Sequence, residues 1–414
     1  MTVSRLIQRF PELVSVQPMP PVRLKAWTLV SALGAGVAAT LAGLRERRSG
    51  LRPCDFLEAR LPTWIGRVEG LERAPVIDRL ARYDSRNHRL AQLCLEQDGF
   101  AAAVAEARRR HGPERIAVVL GTSTSGILET ERAYRQRDPE TGSLPPGFSY
   151  RHTHNAFAGV EFVRQYLRLA GPGLAISTAC SSSAKVFASA TRMLAAGLCD
   201  AVVAGGVDSL CLTTLYGFSA LELTSDQPCR PADADRRGIS IGEGAGFALL
   251  ERASGAEGGL ALLGYGESSD AYHMSSPHPE GRGAALAMAA ALLRAGRDPE
   301  QVDYVLLHGT GTRSNDSAED RALCAVLGPG VPCSSVKGWI GHTLGAAGVL
   351  NALIACLCLE TGFAPPSLNT ERVDPEFSAW VLQEELRRPL ATILSNAFGF
   401  GGNNASLLLG RVVP

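Results

Sequence analysis

Short apolar runs alternate with longer amphipathic stretches along this chain, and no other property of the sequence restricts its fold as much. The runs RIAVVLGTS (115–123), GLAIST (173–178), DAVVAGGV (200–207), GFALLER (246–252), VDYVLLH (302–308) and TILSNAFG (392–399) read as strands, with helical patterns between many of them. Such alternation predicts α/β sheets with helices packed on both faces. At 414 residues the chain can bury a large core, as two to three domains or one large α/β body. Residues 26–44 hold no charge and are flanked by Lys25 and Arg45, which is long enough for a membrane span. The stretch is nevertheless rich in Ala, Gly, Ser and Thr, and Gly34 and Gly36 divide it into a strand-like AWTLVSAL and a helix-like VAATLAGLRERRSGL. A buried strand, turn and helix is the predicted reading, with no membrane span. Residues 1–21, with Pro18, Pro20 and Pro21, read as an N-terminal extension whose order the sequence leaves open.

The run around 173–178 stops at the small-residue turn TACSSSA, and an amphipathic pattern begins at once, which places Cys180 on an elbow at a helix start. A thiol there meets unpaired backbone N–H groups and the positive end of the macrodipole. Both favour thiolate, and the same N–H groups can receive the oxygen charge that forms when a thiolate attacks a carbonyl. Cysteine is also a common buried, inert residue, so the elbow alone does not decide between the two. Two histidines add weight. His308 ends the apolar run VDYVLLH before a Gly/Thr loop, where strand-end side chains point into a crevice. Lys337 and His342 stand just ahead of a long apolar helix that stops near Gly362. With Cys180 these histidines form a candidate constellation.

The chain resembles the β-ketoacyl-acyl carrier protein synthases, the decarboxylating condensing enzymes of the thiolase superfamily. The resemblance covers roughly residues 22–412 and rests on TACSSSA, AVVAGGVDSL, RPADADRRGISIGEGAG, SDAYHMSSPHP, HGTGT, VKGWIGHTLGAAG and SNAFGFGGNNAS in order. It implies a layered αβαβα fold of two similar halves: an extension over 1–21, a half over 22–255 carrying the cysteine, and a half over 256–414 carrying both histidines. It also implies that Cys180 carries the acyl group while His308 and His342 act on the malonyl thioester. Lys337 is then paired with Glu319, as against an ordinary surface ion pair. The backbone N–H groups of Cys180 and Phe400 become the oxyanion donors, within a gating loop of Gly399, Phe400, Gly401 and Gly402. Thr310 and Thr312 meet the pantetheine arm, and Phe218 is a candidate pocket wall. The GFGG turn is expected to occupy, in the second half, the place of the cysteine elbow in the first.

Two departures bear on substrate choice. Ile239 stands where many relatives have phenylalanine near the malonyl site, and Asn403 follows GFGG where they often carry threonine. An ungapped alignment puts Thr124 where chain length is often controlled, which suggests a deeper or more polar pocket for unsaturated or polyene-type chains. No metal or redox cofactor is expected, since 4′-phosphopantetheine arrives on the carrier. His152 and His154 lack a nearby third ligand and read as loop histidines.

Forty-one basic and 41 acidic residues cancel, so no global charge signals nucleic acid, and any partner patch must be local. The candidate is DRLARYDSRNHR, where Arg79, Arg82, Arg86 and Arg89 could steer an acidic carrier protein or simply form a solvated helix face. Ten cysteines form no CxxC or disulfide framework, and no secretory pattern opens the chain, so a reducing cytoplasm is expected. Relatives are dimers, which implies a homodimer or a heterodimer with a related subunit. Two rival functions remain. A cysteine–histidine hydrolase leaves the second histidine and Lys337 unexplained. A partner subunit of the chain-length-factor type would lack the cysteine.

Overall fold

The computed structural model describes residues 3–253 and 258–412. Five strands build the first half: β1 (Val22–Ser31), β2 (Ile116–Gly121), β3 (Gly173–Ile176), β4 (Ala201–Asp208) and β5 (Gly244–Arg252). Five build the second: β6 (Gly259–Ser269), β7 (Tyr304–Leu306), β8 (Pro332–Ser334), β9 (Thr392–Gly399) and β10 (Asn403–Val412). The spatial order is β3-β2-β4-β5-β1 in one half and β8-β7-β9-β10-β6 in the other, and a short β1–β6 pairing at Val22 and Arg23 joins them. The pairing senses also match. β2 is parallel to both β3 and β4, as β7 is to β8 and β9, and the remaining pairs are antiparallel. The two halves are thus the same unit built twice. The expected junction at residues 255 and 256 lies outside the described residues.

Six helices complete the layers that position the site: α1 (Arg86–Leu95), α2 (Ala156–Leu167), α3 (Ser182–Ala195), α4 (Arg282–Ala295), α5 (Arg313–Leu327) and α6 (Ala347–Thr361). Strand residues serve two cores by alternation. Val118 and Leu120 of β2 pack outward with Leu90 of α1 and Phe162 of α2, whereas Ala117 and Val119 pack inward with Phe187 of α3 and Leu353 of α6. On the far side, Val305 and Leu408 meet Met288 of α4 and Leu323 of α5. The layering is therefore αβαβα with α3 and α6 between the sheets. The segment Leu344–Thr361 is apolar enough to cross a membrane, but 89% of it is buried here. Residues 26–44 fold into β1, a turn and the helix Val37–Arg45.

The repeat corrects one expectation. GFGG follows β9, whose counterpart is β4, so it matches the turn after Asp208. The cysteine elbow follows β3, whose counterpart β8 leads to Lys337 and His342. The two segments that open α3 and α6 are therefore the equivalent ones, and the helices meet at their starts. A Cβ on Gly348 would lie 2.5 Å from the Ala184 backbone nitrogen and 2.7 Å from its Cβ, so only glycine permits that approach.

The N-terminal extension is also more ordered than its prolines suggest. A helix spans Val3–Arg9, Leu6 is fully buried in the core around α4, and the Met19 N–H bonds the Arg294 carbonyl.

Candidate active site

Cys180, His308 and His342 converge at the inner end of a cleft of about 590 Å³ between the two halves. All three are buried. Ala179 precedes the cysteine with φ of 52°, a strained left-handed conformation for a residue with a Cβ, and such strain clusters at functional sites. Gly399 explains how the second half reaches the elbow. A Cβ there would stand 2.9 Å from the Thr178 carbonyl oxygen and 3.1 Å from the Cys180 nitrogen, so the turn lies directly on the cysteine backbone. The N–H groups of Phe400 and of Cys180 itself both face the sulfur.

His342 Nε2 lies 3.1 Å from Cys180 Sγ, and the two imidazole centroids are 5.3 Å apart at 83°. Each ring has a neighbour that fixes its tautomer. The Leu344 N–H donates to His342 Nδ1 at 3.3 Å, and the Lys337 ammonium faces His308 Nδ1 at 3.4 Å. An ammonium can only donate, so both Nδ1 atoms accept and both Nε2 atoms carry hydrogen. Burial first, and the Lys337 charge second, hold both histidines well below their ordinary pKa. The site therefore presents two neutral N–H donors rather than a base. One ligand-type atom from each of Cys180, His308 and His342 lies within 4.8 Å of the others, and the Nδ1 lone pairs of the two imidazoles face the Lys337 ammonium and the Leu344 N–H.

The elbow does not make Cys180 a resting thiolate. Burial pushes its pKa up to about 11, against the downward pull of Lys337 and of the Phe400 and Cys180 N–H groups. The helix-start effect is real but smaller than the desolvation of the anion. Alkylation of Cys180 by iodoacetamide should consequently rise about tenfold per pH unit between pH 7 and 9, as the thiolate fraction grows. A plateau by pH 8 in the inactivation rate would show that the helix start outweighs burial.

Glu319 and Lys337 do not pair directly. Glu319 accepts the His308 and Gly309 N–H groups, both at 2.8 Å, and the Asn396 amide at 3.0 Å, while Lys337 Nζ donates to the His308 carbonyl. The carboxylate and the ammonium clamp the same histidine backbone from opposite sides. Both groups are buried, and burial raises Glu319 to about 7 and lowers Lys337. Asp316 orders the next residues, taking the N–H groups of Thr310 and Gly311 at 2.8 and 3.1 Å.

Thr310, Thr312, Phe218, Ile239, Gly399 and Phe400 all line the cleft, whereas Gly401 and Gly402, with φ of 76° and 69°, do not. The Phe218 and Phe400 rings are 5.7 Å apart. Thr124 is not a cleft residue. It is buried, and its N–H and hydroxyl bond Asp208 at 2.9 and 3.0 Å. Asp208, buried at the end of β4, also accepts from the Thr122 hydroxyl and from the Gly345 N–H at 2.7 and 2.6 Å. It thereby ties the β2 and β4 ends to the loop after His342. The only sequence signal for that role is a carboxylate closing an apolar strand, in GGVDSL.

The arginine patch does not form one face. A 3-10 helix (Asp78–Tyr83) and α1 divide it. Arg86 is buried in a two-point contact with Glu243 at 2.8 and 2.6 Å, and Arg89 pairs with Asp84 at 2.7 and 2.5 Å. Arg79 donates to the Gln165 and Tyr166 carbonyls, and Arg82 to the Gln165 side chain. Arg86 and Arg89 thus brace local structure, whereas Arg79 and Arg82 remain exposed while making these bonds.

Comparison with known proteins agrees with this geometry. Residues 72–256 match the family described as beta-ketoacyl synthase, N-terminal domain, and residues 260–371 match its C-terminal domain. The chain is 38% identical over 312 residues to 3-oxoacyl-[acyl-carrier-protein] synthase 2 of Rhizobium meliloti (strain 1021), covering 71% of this chain and 73% of that one. To the protein of the same name from Coxiella burnetii it is 32% identical over 408 residues, covering 93% and 97%. Among solved structures it is similar to the ketosynthase (ApeO) in complex with its chain length factor (ApeC) from Xenorhabdus doucetiae, with TM-score 0.85, 36% identity and coverage of 95% and 98%. The ishigamide ketosynthase/chain length factor gives 0.84 at 28% identity, covering 94% and 99%.

Proposed function

The chain belongs to the β-ketoacyl synthase family and is a condensing enzyme of fatty-acid or polyketide chain elongation, and from that premise we propose how its residues divide the reaction. Cys180 exchanges its thiol hydrogen for the acyl group of an acyl-carrier thioester, and the carrier leaves with a free thiol. The oxygen charge of that exchange falls to the Cys180 and Phe400 N–H groups. Malonyl thioester then binds with its carbonyl oxygen toward the two Nε2–H groups. The bond to its carboxylate breaks, carbon dioxide leaves, and the electron pair becomes an enolate held by His308 and His342. The enolate carbon attacks the acyl-Cys180 carbonyl, a carbon–carbon bond forms, and the carbon–sulfur bond breaks to leave a Cys180 thiolate, which takes a proton from solvent to return the thiol. The observation that carries this reading is the pair of neutral N–H donors beside one cysteine. Decarboxylation drives the step, so no metal or redox cofactor enters it, and 4′-phosphopantetheine comes with the carrier.

The finer assignments rest on separate observations. Thr310 and Thr312, whose hydroxyls are 2.8 Å apart on the cleft wall, are suited to the polar pantetheine arm. Phe218, Phe398 and Phe400 line the cleft and favour unsaturated or aromatic acyl chains through their ring faces. The smaller Thr124 no longer supports that preference. A partner subunit is supported by β3, a sheet-edge strand with an unpaired side, and by Leu174 and Phe157, 41% and 36% exposed beside it. That partner is a second copy or a chain-length-factor-like subunit. All ten cysteines stand as free thiols, which supports a reducing cytoplasm as the compartment.

The test is the intact mass of the protein after incubation with saturated, unsaturated and aromatic acyl carriers, with and without a related subunit. Unsaturated and aromatic chains should load fastest. Loading by short saturated chains alone would overturn the chain assignment, and free acid in place of a β-ketoacyl thioester would overturn the condensing roles.

A further inference from the structure

Lys185 puts a cation where helix electrostatics disfavour one. It lies in the first turn of α3, five residues after Cys180, where unpaired N–H groups already concentrate positive potential. It is also half-buried, and burial lowers its pKa. Its ammonium donates to Asn403 Oδ1 at 3.2 Å. Asn403 is the residue directly after Gly399–Gly402, opposite Gly399 in the β9–β10 ladder, and so forms the far foot of the turn that presents Phe400. One helical stretch further on, Arg192 pairs with Glu267 of β6 at 2.6 Å, which makes a second tie from α3 to the same sheet.

The rest of the turn is held by main-chain contacts, by the Asn404 amide, which donates to the Gly402 carbonyl at 3.1 Å, and by the Phe400 ring against Phe218. The Gly401 N–H bonds the Met274 carbonyl at 2.7 Å, and the Asp270 N–H bonds the Gly402 carbonyl at 2.9 Å. Three of its four residues are glycine, which leaves the backbone little intrinsic order. The Lys185–Asn403 bond ties the foot of this turn to α3, the helix that opens just after Cys180, and so bears on where the Phe400 N–H and ring stand over the cysteine.

The geometry points to Lys185 as a positioning residue for the acyl-transfer half of the reaction. By holding the Asn403 amide it keeps the Phe400 turn seated on the cysteine elbow, and the assignment rests on Cys180 as the acyl-carrying residue. The histidine loops have their own supports in Glu319, Asp316 and Asp208, so the decarboxylation half should not depend on Lys185.

Lys185→Met, which keeps the apolar stem and removes the donor, is compared with Lys185→Arg, Asn403→Ala and the double variant in the full-length protein. Single-turnover acylation is followed by intact mass, and carbon dioxide release from malonyl carrier is followed separately. Acylation should slow roughly tenfold in Lys185→Met and in Asn403→Ala, the scale of one charge-assisted hydrogen bond. The double variant should be no slower than either single one. Lys185→Arg should restore most of the rate, and carbon dioxide release should stay within about twofold throughout, well below that hydrogen-bond effect. Equal loss of both rates would assign Lys185 to general stability, and additive losses or unchanged acylation would separate it from the turn; each overturns the proposal. A wild type that acquires no acyl adduct would instead overturn the role of Cys180.

Discussion

Cys180→Ala should form no acyl adduct and lose condensation by at least ~10³-fold, the order of loss when a covalent nucleophile is removed. It should still release carbon dioxide from malonyl carrier. The reason lies in how the site is divided. His308 takes its tautomer from Lys337 and His342 takes its own from Leu344, so neither donor depends on the sulfur for its hydrogen. The loops that carry them are fixed by Glu319, Asp316 and Asp208, all buried. Removing the sulfur leaves a small gap beside His342 and leaves that frame in place. Carbon dioxide evolution and intact mass, measured on the same preparation, check both halves of the expectation. A variant that still elongates chains would mean that the nucleophile lies elsewhere.

How much of this could be read without coordinates depends on the kind of information involved. β2, β4, β5 and β9 are apolar runs buried on both faces, and their hydrophobicity alone marks them. β6 is as long as any strand, but Gly264, Gly266 and its terminal serines give GLALLGYGESS the look of a loop. Those glycines are there because α4 lies directly on the strand: a Cβ on Gly264 would crowd the Ala291 carbonyl and the Ala295 nitrogen. Such a constraint comes from a neighbour distant in sequence.

The site divides in the same way. Cys180, His308, His342, Lys337 and Glu319 are visible as motif residues. How Lys337 and Glu319 cooperate is not, because they meet through the backbone of a third residue. The sign of the Cys180 shift was also hidden, since a helix start is a local feature and burial is not. Arg86 is the plainest case. Four arginines within 11 positions resemble a basic face, yet the partner of Arg86 is Glu243, 157 residues away.

His308→Ala should give the opposite phenotype to Cys180→Ala. The variant loses one of two N–H donors at the place where enolate charge develops, and a single donor of this kind is worth ~10²–10³ in rate. Carbon dioxide release should fall by that factor, and condensation with it. Acylation of Cys180 should persist within about an order of magnitude, because the oxyanion donors proposed for that step are the Cys180 and Phe400 N–H groups, which face the sulfur and not His308. Some loss is expected, since Lys337 would lose its Nδ1 partner and leave a buried ammonium held chiefly by the residue-308 carbonyl. The pH dependence separates this account from one in which His308 acts as a base. The histidine pKa is held well below its ordinary value, so the imidazoles stay neutral through pH 6.5 and contribute no acid limb to carbon dioxide release, and a limb from Glu319, raised to about 7, should persist in His308→Ala. A base with an ordinary histidine pKa would lose activity there as it protonates. A limb at about pH 6.5 that disappears in His308→Ala would therefore replace the two-donor arrangement with general-base catalysis, and a profile whose shape the substitution leaves unchanged would leave hydrogen-bond donation as the way this site meets the enolate.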